Sequence, residues 1–410
     1  MAKGELQVRV VKGNNELPIS NATVIISGAN AGGGEIIEYK MISDSLGNTE
    51  IIELETPDIL LSLSPLNTRP YSLCDIKVTA EGYNSYQIRG VQIFPMVLAV
   101  QHARLNPKNS ENQIEDQLLI SEPTLIGNYP EKIPESATKL NVPVSGGVDY
   151  QTPMIPYSIV VHLGAPNDNN AKNVNVRFID YIKTVCAGEI YPTWPEAAIR
   201  AFSYCIVSFI LNRIYTEWYK RQGKDFHITN DPIYDPAFFY GRTTYKSISE
   251  IVNFTFNTYI TIDRQKQPIL TQYSDGIKVI RNAWLSKWGC KFLADEGLNP
   301  IEIIKKYYGN SMSLGRTDKF EGITQPYPGS PLTIEDKGSN VRIIQGHLNK
   351  ISEAYPLIPK VTVNGIYDLA TAEAVRKFQN TFKASETGIV DFATWYSISR
   401  LYVHITKISV

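Results

Sequence analysis

The chain has 410 residues, of which 43% are hydrophobic and 20% charged, and its formal net charge is −1. That length gives about two to four domains, the apolar share supplies several cores, and the near-neutral balance excludes a general attraction to nucleic acid or to a membrane surface. The charge is unevenly spread: residues 1–147 hold 11 Lys/Arg against 17 Asp/Glu, and the remainder holds 29 against 24. The opening "MAKGELQVRVVKG" lacks the apolar run of a signal peptide, and no stretch approaches about 18 consecutive apolar residues, so no membrane span is expected. Cys74, Cys186, Cys205 and Cys290 are scattered, with neither CxxC nor zinc spacing. They read as buried free thiols, and no metal or other cofactor is expected.

Residues 4–106 read as short β-rich runs, among them "LQVRVV", "ATVIIS", "IIEYKMI", "TEIIELE" and "DIKVTAE", separated by turn signals such as "DSLGN" and "EGYN". Regular spacing of this kind predicts a β-sandwich over 1–106. Residues 107–156 are polar and then dense in proline, which predicts an extended linker; its "VPVSGGVDY" is a protease-accessible stretch, with Ser145, Gly146, Gly147 and Val148 as the processing candidates.

A mixed α+β region follows over 157–320. "YSIVVHLG" reads as a strand and "VNVRFIDYIKTVCAGEI" turns from extended to helical. "TWPE" offers a capping box from Thr193 to Glu196, with Pro195 in the first turn of a long helix. "YITIDRQKQPILTQYSDG" reads as a hairpin turning near Arg264–Gln267, and "WLSKWGCKFLADEG" and "NPIEIIKKYYG" as two helices closed by glycine. Residues 330–410 repeat a helical grammar, "GSNVRIIQGHLNKIS" and "LATAEAVRKFQNTF" having apolar positions three and four apart.

Three resemblances attach to these segments. "PISNATVIIS", "ISDSLGNTEI" and "YSLCDIKVTAEGYNSY" are similar to the carboxypeptidase-regulatory-like, transthyretin-type sandwich. "GSNVRIIQGHL", "VNGIYDLATAEAVRKFQ" and "TGIVDFATW" resemble the three-helix peptidoglycan-binding modules, with Asn364 and Asp368 standing where that family has Asp and Gly. This implies a wall-binding groove near Gly365, Tyr367 and Phe378, where Tyr367, Phe378 and Gln379 are placed for either packing or contact. "VRFIDYIKTVCAGEIYPTWPEAAIRA", "QPILTQYSDG" and "LSKWGCKFLADEGLNPIEIIKKYYG" resemble the SpoIID family of lytic transglycosylases, and the whole order is similar to the SleC-like family of clostridial spore cortex-lytic enzymes. Ser274 stands where that family has a cysteine, and Lys287 where it has glutamine.

The resemblance implies a zymogen that cleaves the MurNAc–GlcNAc bond of cortex peptidoglycan during germination. It implies synthesis in the mother-cell cytoplasm, deposition between coat and cortex, and activation by a subtilisin-like germination protease. Glu189 is the implied catalytic carboxylate. Hydrolases of the retaining or inverting kind use a pair of carboxylates, whereas a lytic transglycosylase needs one, because the sugar's own 6-hydroxyl attacks and leaves a 1,6-anhydro end. Apolar Val185, Ile190, Tyr191 and Trp194 lie near Glu189 in sequence, so its pKa is expected to be raised. Tyr191, Trp194, Tyr273 and Asp275 are the substrate-binding candidates around it, and the acidic sandwich is the expected cover. The alternative is a peptidoglycan-binding protein without catalysis, in the manner of an amidase enhancer.

Overall fold

The computed structural model describes residues 2–407 apart from 14–16, 30–35, 67, 109–116, 136–152, 322–326 and 383. The processing candidates Ser145, Gly146, Gly147 and Val148 lie outside the described residues. The chain divides into two compact units, one of Met1–Asp58, Tyr71–Ile120 and Gly322–Val410, the other of Ile59–Pro70 and Ser121–Glu321.

In the first unit, β1 (Ala2–Lys12) lies between antiparallel β4 (Ile52–Thr56) and parallel β7 (Leu98–Leu105). A second sheet runs in the order β3 (Ile36–Ile42), β2 (Thr23–Ala29), β5 (Ser72–Thr79), β6 (Tyr86–Ile93) and β8 (Gln117–Leu119). Alternation sets the faces of β2 and β5, where Val24, Ile26, Ile76 and Val78 are fully buried, whereas β1, between two strands, is buried without a break from Leu6 to Val11. The run "VQIFPMVLAVQHARL" is broken near Pro95 and Met96, where φ turns positive at Met96, so it supplies parts of two strands, β6 and β7.

The same unit carries three helices, α6 (Ser339–Ala354), α7 (Leu369–Thr381) and α8 (Phe392–Lys407). They are built on an internal repeat. "VRIIQ" and "VRKFQ" each end in a buried glutamine, and "GIYDLAT" and "GIVDFAT" each open the next helix. Gln345 accepts from the Gly365 N–H at 2.8 Å and donates to Ile366 O and Thr371 Oγ1; Gln379 accepts from the Gly388 N–H at 2.8 Å and donates to Ile389 O and Thr394 Oγ1. Asp368 and Asp391 cap the following helices through the N–H groups of Thr371 and Thr394. Each glutamine satisfies a turn that only glycine, at φ +80 and +68, adopts without strain. Gln345→Ala or Gln379→Ala is expected to destabilise the helices by about 2 kcal/mol, because each leaves several buried partners unpaired. Calorimetry of the full chain checks this, and unshifted unfolding would contradict the role.

In the second unit, α2 (Glu196–Tyr215) is the central element, packed by α1 (Phe178–Glu189), α3 (Lys246–Thr255), α4 (Lys287–Asp295) and α5 (Pro300–Tyr308). By length and composition α2 could cross a membrane, with a mean hydropathy of 1.3, but 83% of it is buried inside the unit, as a core helix is. Around it lie β9 (Ser158–His162) paired with β10 (Asn173–Arg177), and β11 (Thr258–Ile262) paired with β12 (Met312–Arg316).

Three local expectations are corrected. The capping box does not form: α2 begins after Pro195 without a side-chain cap, because the Thr193 hydroxyl donates instead to Ser62. The hairpin after Tyr259 turns as expected near Arg264, and the Ile269 N–H donates to Ile260 O across it, but its return arm forms no strand against β11: β11 pairs with β12 from far along the chain, and Tyr273–Ser274 pairs in parallel with Leu285–Ser286. The linker over 107–156 is not free throughout: residues 117–119 form β8 and residues 121–135 belong to the second unit.

Candidate active site

Glu189 is the last residue of α1 and is 1% exposed. Its two oxygens have different company. Oε1 accepts from the Tyr273 hydroxyl at 2.7 Å and from the Ala237 N–H at 2.9 Å. Oε2 accepts from the Thr124 hydroxyl at 2.5 Å and from the Lys287 ammonium, on α4, at 2.9 Å. Lys287 is itself 4% exposed and also donates to Thr124 Oγ1 at 2.7 Å.

Thr124 belongs to the Pro-rich segment, which crosses the site as a strap. The Thr124 N–H donates to Gly188 O at 2.9 Å. The Ile133 N–H donates to Ile233 O, Gln272 bonds both Ile133 O and the Glu135 N–H, and Lys132 donates to the carbonyls of Pro232 and Asp235. At its far end Glu135 holds Arg213, which also pairs with buried Asp235. Prolines at 123, 130 and 134 keep the strap extended and remove N–H groups that would otherwise need partners.

Electrostatics reverse the expected pKa of Glu189. Burial alone would raise it, but Lys287, then Lys132 and the Thr124 hydroxyl, favour the carboxylate and bring it down to about 2. Burial pulls Lys132 down to about 8, and the Tyr273 hydroxyl is pushed well above its usual range by burial and then by the charge of Glu189. Since the folded pKa of Glu189 lies below its ordinary 4.5, the stability it contributes is complete above pH 4.5 and is lost as pH falls toward 2. The difference in melting temperature between the chain and Glu189→Gln should therefore shrink across that window; a pH-independent difference would contradict the assignment.

The other candidates divide. Tyr273, expected to bind substrate, is 1% exposed and gives its hydroxyl to Glu189 itself. Tyr191 and Trp194 are buried in an aromatic cluster with Trp288, and the Trp194 indole donates to Ser62 O, so they form a wall behind the carboxylate rather than a sugar-facing surface. Asp275 Oδ1 accepts from the Ile277, Lys278 and Val279 N–H groups, which makes it the organiser of its own turn. Gly365 is the turn glycine described above, Tyr367 is fully buried with its hydroxyl on Gly388 O, and Phe378 packs on Phe382; these are core positions, not a groove. Thr124, Lys132 and Lys287 escaped the sequence reading. Lys287 was visible there only as a departure from a family pattern, and nothing local marks Thr124.

All four cysteines are free and buried. Among the described residues, no group of three or more His, Cys, Asp or Glu side chains is placed to hold a metal ion.

Comparison with known proteins adds one family. Residues 337–398 match the family model described as "Putative peptidoglycan binding domain". No curated protein matches the chain. Solved structures with partial likeness include 3-chlorocatechol 1,2-dioxygenase from Rhodococcus opacus 1CP (13% identity, 26% of this chain and 59% of that one, TM-score 0.19). Others are the minor pilin GBS52 of Streptococcus agalactiae (12%, 28% and 48%, TM-score 0.18) and catechol 1,2-dioxygenase from Acinetobacter sp. ADP1 (16%, 29% and 58%, TM-score 0.20). The matched part spans about half to three-fifths of those chains, and at these scores the likenesses carry no argument. The protein is thus multidomain, with mixed α and β structure, and its C-terminal helices match the peptidoglycan-binding domain, which supports a cell-wall-related protein.

Proposed function

We propose that the protein is a peptidoglycan lytic transglycosylase of the spore-cortex kind, held latent by its own chain. The observation that carries this reading is one buried carboxylate, Glu189, fixed on both oxygens by hydroxyl, amide and ammonium donors. One carboxylate suffices when the nucleophile is the sugar's own 6-hydroxyl, whereas hydrolysis by the common routes uses two. The peptidoglycan-binding module supplies the polymer.

Under this reading residues 1–106 are a sandwich of the carboxypeptidase-regulatory-like kind serving as a pro-region, and 157–320 are the SpoIID-like catalytic part of a SleC-like enzyme. The strap is the proximal cover of Glu189, in place of the acidic sandwich. A subtilisin-like germination protease cutting after the strap would free it, the cortex of a germinating spore being where the protein acts. The test is incubation with cortex peptidoglycan followed by chromatography of the products: 1,6-anhydro muropeptides are expected, and only reducing ends or no products would refute the activity. In the same assay, the full chain is expected to sediment with insoluble sacculi, with α6–α8 responsible for retention.

A second reading is favoured by one observation, that both oxygens of Glu189 are engaged while neighbouring lysines hold its carboxyl below the usual range. Such a site could hold glycan without cutting it. The same chromatography separates the two.

A further inference from the structure

The Thr124 hydroxyl sits between opposite charges. It gives its proton to Glu189 Oε2 at 2.5 Å and takes a hydrogen bond on oxygen from the Lys287 ammonium at 2.7 Å. An alcohol so placed has a base on its proton and a cation on its lone pair, which is the arrangement that stabilises charge developing on that oxygen. Oε1 of Glu189 is taken by the Tyr273 hydroxyl and the Ala237 N–H, neither of which lies on the strap, so Oε2 is the oxygen that becomes available when Thr124 leaves.

We propose that Thr124 marks the place of a substrate hydroxyl, that Lys287 is the residue that polarises this hydroxyl, and that Glu189 enters the reaction as the carboxylate that removes its proton. This deepens the transglycosylase reading and rests on it. The hydroxyl is the 6-hydroxyl of the muramic acid residue. Its proton passes to Glu189 Oε2, its oxygen forms a bond to C1, and the bond from C1 to the 4-oxygen of the next sugar breaks. The proton then passes from Oε2 to that departing oxygen. The step consumes no water and leaves Glu189 ionised for the next cycle.

The groups facing Glu189 make this order of events the natural one. The cations that act on it most are Lys287 from α4 and Lys132 from the strap, and buried Arg242 lies beside the neighbouring Gly188. The hydroxyls of Tyr129, Tyr181 and Tyr273 and the thiols of Cys186 and Cys205 are held in their neutral forms by burial. When the strap leaves, Lys132, Tyr129 and Thr124 go with it, and Lys287 keeps the carboxylate charged.

The experiment uses the full chain cut within residues 136–152, with Lys287→Gln and Lys287→Arg beside it. Two quantities are read: the pH profile of anhydro-product release and the titration of the Glu189 carboxyl by carbon NMR. The unsubstituted protein is expected to show activity that falls only as pH drops through the carboxyl's titration, with no loss between about pH 5 and 7 of the kind a protonated acid would give. Lys287→Gln is expected to reduce kcat/KM about 100-fold and to move both the acid limb and the NMR midpoint upward, while Lys287→Arg keeps them low. Unchanged midpoints in Lys287→Gln, or a descending limb near pH 6 in the unsubstituted protein, would overturn the inference while leaving the activity standing. Absence of anhydro product from the unsubstituted protein would overturn the transglycosylase reading and this inference with it.

Discussion

Replacement of Glu189 by glutamine in the cut protein is expected to lower anhydro-muropeptide release by about three orders of magnitude, the middle of the range for removing an acid–base group. The change keeps the shape of the side chain and its bonds on Oε1, where an amide oxygen still accepts from Tyr273 and Ala237. It removes the charge that Lys287 faces and the group that moves the proton. The sedimentation with sacculi expected from α6–α8 should be untouched. A variant that binds normally and releases product at the parental rate would show that Glu189 has no part in the chemistry.

The second large effect is expected from the strap. Every 1.4 kcal/mol is about tenfold, so docking worth about 3 kcal/mol leaves the site open less than about 1% of the time. The bonds of Thr124 and Lys132 and the pairing of Glu135 with buried Arg213 are of the size to supply that. While the chain is intact, the strap is held at high effective concentration, and a cut after it removes much of this advantage. Cutting within residues 136–152 should therefore raise activity on cortex fragments by about 100-fold or more. Glu135→Ala, which takes about 2–3 kcal/mol from the anchor, should raise the activity of uncut protein about 30-fold. Equal rates before and after cutting, with Glu135→Ala unchanged, would leave the strap a passive part of the fold.

What could be read from the sequence followed the length of the signal. The strands of 2–105 are short β-rich runs set off by turns, and α4, α5 and α7 have clear periodicity with caps or closing glycines, so each is legible. Glu189 stood out through the motif around it. Its charge state did not, because the side chains that set it come from positions 124, 132 and 287, far apart in sequence. Burial was inferred correctly from Val185, Ile190, Tyr191 and Trp194, but burial is only one of the opposing influences, and the lysines prevail. Tyr367 and Phe378 sat in a family motif and were read as a groove, although a three-helix module this small needs its aromatics for a core. The repeat of "VRIIQ" and "VRKFQ" with "GIYDLAT" and "GIVDFAT" lies in the sequence but has no fixed period, because the two spacers differ in length.

The order of the pieces along the chain bears on what happens at the ribosome. Translation delivers the strap before α1 and delivers Lys287 later still, and parts of a chain fold as they emerge. By the time Glu189 leaves the exit tunnel, Thr124 is already outside and tethered to it. The second unit therefore assembles around a segment that is present from the start, and Glu189 is not made before Thr124. Under the proposed activity, the direction of translation itself would keep the new carboxylate covered, without a separate inhibitor having to arrive in time.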